Sequence, residues 1–188
     1  MKLNFFNLEE QPFRKTFIRI LPVRYQGTVS YISGTAEGPD AIIAASAQVE
    51  KFSCLLEKDL SVIPCYVADP VTPELNTPKH MMKKVYKKAA KLIEPGKILC
   101  TLGGEHSISG PVVQAHADVL KEDFDVIVID AHLDMHDEYQ GTAFSHATVS
   151  RRIADTRKVC VIGARSICEN EFQFVKKNSD RIFHIKPF

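Results

Sequence analysis

Asp130, His132 and Asp134 stand at alternate positions directly after the apolar run Val126–Ile129. Alternate residues of an extended chain project to one side, so two carboxylates and an imidazole are expected to leave a strand end together. Open α/β sheets bind ligands at the carboxyl ends of their strands. An isolated D-x-H reads as a cap or a turn; the further carboxylate after an apolar strand favours a ligand cluster. A second segment aims at the same place. The strand expected at Ile98–Leu102 runs into Gly103-Gly104-Glu105-His106-Ser107 and then a helix. Paired glycines permit the tight turn and close backbone approach that bring His106 inward. A Gly-Gly turn before a helix could instead cradle a phosphate, but neither G-x-x-x-x-G-K-[ST] nor G-x-G-x-x-G occurs in the sequence.

Two imidazoles and two carboxylates without a thiolate favour Mn²⁺ or a similar divalent ion over structural zinc. Asp130 and Asp134 could hold two ions a short distance apart, with one carboxylate bridging. Such a pair activates water near neutral pH and stabilises negative charge in a transition state.

The elements that must position these residues follow from apolar bursts alternating with amphipathic stretches, the pattern of an α/β domain with a mainly parallel sheet. Strands are expected at Phe17–Pro22, Val62–Ala68, Ile98–Leu102, Val126–Ile129, Lys158–Ile162 and Ile182–Ile185. Helices are expected at Asp40–Phe52, Thr77–Leu92, Ser107–Leu120, Thr148–Ala154 and Cys168–Asn178. Gly38-Pro39 opens the first helix and Pro95-Gly96 closes the second. Val126–Ile129 is apolar without alternation, so both of its faces are expected to be covered.

The 188 residues suit one domain with its own core, expected to span 1–188. With 24 basic and 23 acidic side chains, no overall field draws the chain to nucleic acid or membrane. Lys83, Lys84, Lys87, Lys88 and Lys91 recur at helical spacing and read as a solvated face. Five cysteines with no CxxC and mostly apolar neighbours read as reduced, buried thiols. The start, MKLNFFNLEEQPF, makes a poor signal peptide, and no run is long enough to span a bilayer, so a soluble cytoplasmic protein is expected.

Three blocks, in order, resemble the ureohydrolase (arginase/agmatinase) family, and agmatinases most closely. They are Gly27–Tyr31 with Glu37–Ile42, LGGEHSIS at Leu102–Ser109, and DAHLDMHDEYQGTAFSHATVSRRI at Asp130–Ile153. The resemblance implies a three-layer α/β/α fold and a pair of Mn²⁺ ions held by His106, Asp130, His132 and Asp134, with Asp130 touching both. It implies that His146 passes a proton to the leaving amine, and that activated water converts agmatine to putrescine and urea. Arginine, guanidinobutyrate and formiminoglutamate stay open as substrates, and no substrate-gripping residue is identified. Family members form trimers or hexamers, so a homo-oligomer is expected of a full-length chain. Glu105 stands where many members carry aspartate.

One family motif is missing: S-x-D-x-D-x-x-D-P, whose leading aspartates finish the metal site, does not occur in Asp155–Phe188. The fold is therefore expected to be incomplete at its C-terminal end, with a strand at Ile182–Ile185 and no closing helix. Two readings follow: an active ureohydrolase or a fragment of one, and a short, inactive family member that serves only assembly or interaction.

Overall fold

The computed structural model describes residues 3–8, 11–73 and 77–185; the chain's last residue, Phe188, lies outside them. Strands β1 (Ile18–Val23), β4 (Cys65–Val67) and β5 (Ile98–Gly103) form one parallel sheet in the order β4-β1-β5. Strands β6 (Val126–Ile129), β7 (Val159–Ile162) and β8 (Ile182–Ile185) form a second, also parallel. Helices α1 (Gly38–Ser46), α2 (Pro78–Ala90), α3 (Ser109–Leu120), α4 (Val149–Ala154) and α5 (Glu169–Lys177) make the crossovers, giving a three-layer α/β architecture. Between β5 and β6 lies a cavity of about 360 Å³ bordered by Thr101, His106, Val126 and Val128, so the expected single sheet is divided in two.

Alternation along β1 sends Leu21 and Val23 into a core shared with Met81, Val85, Ala89 and Ala115 of α2 and α3. Ile20 points to the other face, against Ile43 of α1 and Val67 of β4. A separate core gathers Leu133, Met135, Ile153, Val159, Val161 and Val175 around β7. On α2, Met81, Val85 and Ala89 are buried while Lys83, Lys87 and, just past its end, Lys91 are exposed. Lys84 and Lys88 are half-buried, Lys84 donating to the Thr72 carbonyl and Lys88 facing Asp69, so the solvated face read from the lysine spacing holds for three of the five.

Four sequence expectations need correction. First, α1 ends at Ser46 rather than Phe52, and a short antiparallel hairpin of β2 (Phe52–Ser53) and β3 (Lys58–Asp59) follows. The Ser46 hydroxyl donates to the Ile43 carbonyl and accepts from the Phe6 amide, diverting a carbonyl in the last turn. Second, the strand expected at Val62–Ala68 begins only at Cys65, because Leu60–Val62 forms a 3-10 turn capped by Asp59. Third, β6 is covered on one face only. Val126 and Val128 pack inward, but Ile127 and Ile129 are 67% and 84% exposed. Among the described residues β6 pairs with β7 alone, so its second edge borders the cavity. Fourth, the cysteines are free but not buried: Cys54, Cys100 and Cys168 are exposed and Cys65 and Cys160 half-buried. Apolar neighbours in sequence do not bury a residue that sits at a sheet edge or a helix start.

Candidate metal centre

The segments that follow β1, β5, β6 and β7 meet at the carboxyl ends of the strands. After β5, Gly104 lies so close to the backbone of Tyr25 and Thr35 that a Cβ there would strike the Tyr25 carbonyl oxygen. That approach lets the Glu105 amide donate to the Tyr25 carbonyl at 2.9 Å. The buried Glu105 carboxylate then accepts from the Ser107 amide (2.8 Å), the Ser107 hydroxyl (2.9 Å) and the Thr28 hydroxyl (2.7 Å). Its role is to cap the 3-10 turn His106–Ile108 and so to aim the His106 imidazole across the strand ends.

After β6, Arg165 and Ser166 donate their amides to the Ala131 carbonyl, holding the Asp130–His132 stretch extended against the segment after β7. The extension stops at Asp134, which takes the left-handed conformation at φ 53°. Asp130 sits between two imidazoles. Its Oδ2 lies 3.8 Å from His106 Nδ1, and its Oδ1 lies 3.4 Å from His132 Nδ1. Asp134 Oδ2 lies 3.5 Å from His106 Nε2. Donor atoms of His106, Asp130 and Asp134 all fall within 4.8 Å of one another. The His132 ring, 61% exposed, stands beside Asp130 but outside that three-residue cluster.

The Asp134 side chain is 9% exposed, and its Oδ2 is buried without a hydrogen-bond partner in the protein. Burying a carboxylate oxygen without a donor is costly, and such orphans ask for an ion or another partner. Burial pushes the Asp134 carboxyl up from 3.8 to about 6; His106 opposes that rise, Asp130 adds to it, and Glu171 adds a little more. A divalent cation among these oxygen and nitrogen donors would satisfy the orphan and favour the ionised form. The donor set therefore fits a hard divalent ion.

The His146 ring stacks near the His106 ring, with centroids 6.4 Å apart, and meets the Tyr139 ring edge-on at 5.3 Å. The His146 amide donates to the Thr28 hydroxyl oxygen at 3.2 Å, and His146 Nδ1 lies 3.5 Å from it. Since the Thr28 hydroxyl proton is given to Glu105, that oxygen can only accept from His146, which favours the tautomer with the proton on Nδ1 and leaves Nε2 open. Thr28 was not singled out from sequence, where its Gly27–Tyr31 block carried only a resemblance. Asp137 pairs with Arg152 at 2.7 Å and with Arg151 at 3.4 Å. Arg165, beyond the backbone bond above, donates its guanidinium to the Gly163 carbonyl.

Parallel α/β layers with imidazoles and carboxylates at the strand ends define an α/β protein with a candidate metal centre. A model of the arginase family matches residues 17–188, and the chain belongs to that family. An N(1)-aminopropylagmatine ureohydrolase of Thermus thermophilus is 30% identical over 179 residues, covering 95% of this chain and 61% of that protein. The agmatinase of Bacillus subtilis is 31% identical over 164 residues, covering 86% of this chain and 55% of that one. Among solved structures, the agmatine ureohydrolase of Thermoplasma volcanium superposes with a TM-score of 0.78 at 25% identity, over 94% of this chain and 59% of that chain. The chain thus spans less than two thirds of the length of the relatives it matches. Among the described residues, no helix is long and apolar enough to cross a membrane.

Proposed function

We propose that the protein is a cytoplasmic, Mn²⁺-dependent ureohydrolase of the agmatinase type, acting on the guanidino group of agmatine and assembling as a trimer or hexamer when full length. The observation that carries this reading is the Asp130 carboxylate between the imidazoles of His106 and His132, beside the orphaned Asp134 oxygen. When bound there, divalent ions supply Lewis-acid activation of water and neutralise charge in the transition state. His106, Asp130 and Asp134 hold them, with His132 completing the set from beside Asp130.

A guanidinium carbon is a poor electrophile because its charge spreads over three nitrogens. Water adds to that carbon, the bond from carbon to the alkyl nitrogen breaks, and a proton from the water ends on the departing amine. Urea and a primary amine result. Thr28 orients His146 so that its open Nε2 can take up that proton and hand it on. Glu105 acts through position alone, by fixing both His106 and Thr28.

The second reading, a family member that assembles without catalysing, draws on one observation. The described cluster brings two carboxylates, Asp130 and Asp134, to the charge of two divalent ions. One experiment separates the readings. Urea release from agmatine, arginine, guanidinobutyrate and formiminoglutamate is measured with Mn²⁺ on a full-length version of the protein, alongside His146→Asn and calorimetric Mn²⁺ titration. The enzyme reading expects turnover of one guanidino compound, a loss of about 100-fold or more in kcat for His146→Asn, and unchanged Mn²⁺ affinity. Tight Mn²⁺ binding with no hydrolysis of any of the four would favour the second reading.

A further inference from the structure

Two residues beyond Asp134, a different set of donors converges. His136 Nε2 lies 3.8 Å from Cys168 Sγ and 3.7 Å from Glu171 Oε2, and the three ligand atoms fall within 4.8 Å of one another. We propose that His136, Cys168 and Glu171 form a second metal site, selective for a thiophilic divalent ion such as Zn²⁺, which ties the loop after Asp134 to the start of α5.

The spacing fits that ion. Zinc bonds of roughly 2.0–2.3 Å in a tetrahedron place neighbouring ligand atoms roughly 3.3–3.6 Å apart, within a few tenths of an ångström of the two separations from His136 Nε2, 3.8 and 3.7 Å. Three protein donors leave a fourth position for water or a ligand. The donors are already held by the backbone. Glu171, 6% exposed, accepts from the Met135 amide at 2.9 Å and the Cys168 amide at 3.1 Å, and the His136 amide donates to the Ala147 carbonyl. Cys168 caps the nine-residue helix α5, and it is exposed enough to admit an ion.

Capping alone accounts for part of this arrangement. Cys168 and Glu171 form a reciprocal capping box, so their proximity needs no ion. His136 has no part in that box. It belongs to a loop more than 30 residues earlier in the chain, and its Nε2 supplies the third corner. The site also differs in kind from the centre at Asp130: a thiolate, an imidazole and a carboxylate select Zn²⁺ or Co²⁺, whereas all-oxygen-and-nitrogen donors suit Mn²⁺.

The test is titration of the whole chain with Co²⁺, which reports sulfur ligation through a thiolate-to-cobalt charge-transfer band. The centre at Asp130 has no sulfur and cannot produce it. The wild-type protein is expected to show the band, and Cys168→Ser to lose it. Because even supporting residues cost 10–100-fold in affinity, His136→Ala should weaken Zn²⁺ binding by about tenfold or more. Asp134→Asn should keep the band, since this site stands independently of the catalytic reading. Absence of the band in wild type, its survival in Cys168→Ser, or its loss in Asp134→Asn overturns the proposal. Should Cys168→Ser fail to fold, mass-mapped alkylation of wild type decides. Zn²⁺ at low concentration must slow modification of Cys168, and an unchanged rate overturns the assignment.

Discussion

Replacing Asp134 by asparagine should make the metal-free protein more stable while removing its affinity for Mn²⁺. Asp134 is 9% exposed and its carboxyl is pushed from 3.8 up to about 6, chiefly by burial. That is roughly two pKa units at about 1.4 kcal/mol each, so the ionised carboxylate costs on the order of 3 kcal/mol in the folded state. An asparagine amide keeps the shape without the charge but is itself buried, which reduces the expected gain to about 1–2 kcal/mol. The sign depends on pH. Folding raises this carboxyl's pKa, so the folded state holds the proton more tightly and is penalised as pH climbs. Below about pH 4 both states are protonated at residue 134, and the variant and the wild type should melt together. The difference opens between pH 4 and 6 and is complete above 6. Denaturant melts with chelator at pH 4 and pH 7.5 measure it. Adding Mn²⁺ at about 100 times its Kd should then raise wild type by roughly 2.7 kcal/mol and leave the variant unmoved. A variant less stable than wild type at pH 7.5 in chelator, or a difference that does not change with pH, would refute this account of Asp134.

Thr28→Val keeps the shape but deprives the buried Glu105 of a donor and His146 of its acceptor, so a loss of about 1–2 kcal/mol in denaturant melts is expected, with reduced turnover in any active form. Gly104→Ala drives a Cβ into the Tyr25 carbonyl, a backbone atom that cannot swing aside, and should cost about 2 kcal/mol or more, read as a lowered denaturation midpoint. Ile127→Thr together with Ile129→Thr touches the exposed side of β6 and should change the melt by about 0.5 kcal/mol or less. The same pair should reduce self-association in light scattering, since exposed apolar side chains on a strand whose second edge is unpaired among the described residues invite pairing between chains. An unchanged scattering signal would mean that this edge is not where chains meet.

How far these features could be read in the sequence depends on how local their causes are. The alternation of Asp130, His132 and Asp134 and the glycines before His106 act within a few residues, and the sequence is enough to place them at strand ends. Six strands and five helices could be located for the same reason: apolar runs, Gly38-Pro39 and Pro95-Gly96 are local signals. What could not be read was decided across the chain. The end of α1 rests on Ser46 meeting Phe6, 40 residues away. The exposed side of β6 follows from which strands lie beside it, a fact absent from an apolar run that would look the same in a covered strand. The bond from Thr28 to His146 spans 118 residues, and that from Met135 to Glu171 spans 36. Neither threonine nor glutamate carries a signature of that use. A resemblance to relatives points to ligand types and their order, but it cannot show that Glu105 fixes His106 and Thr28 through one carboxylate. The two candidate metal sites divide along this line. The first follows a strand and announces itself by spacing; the second joins a loop to a helix cap, and only the folded chain puts His136 beside Cys168.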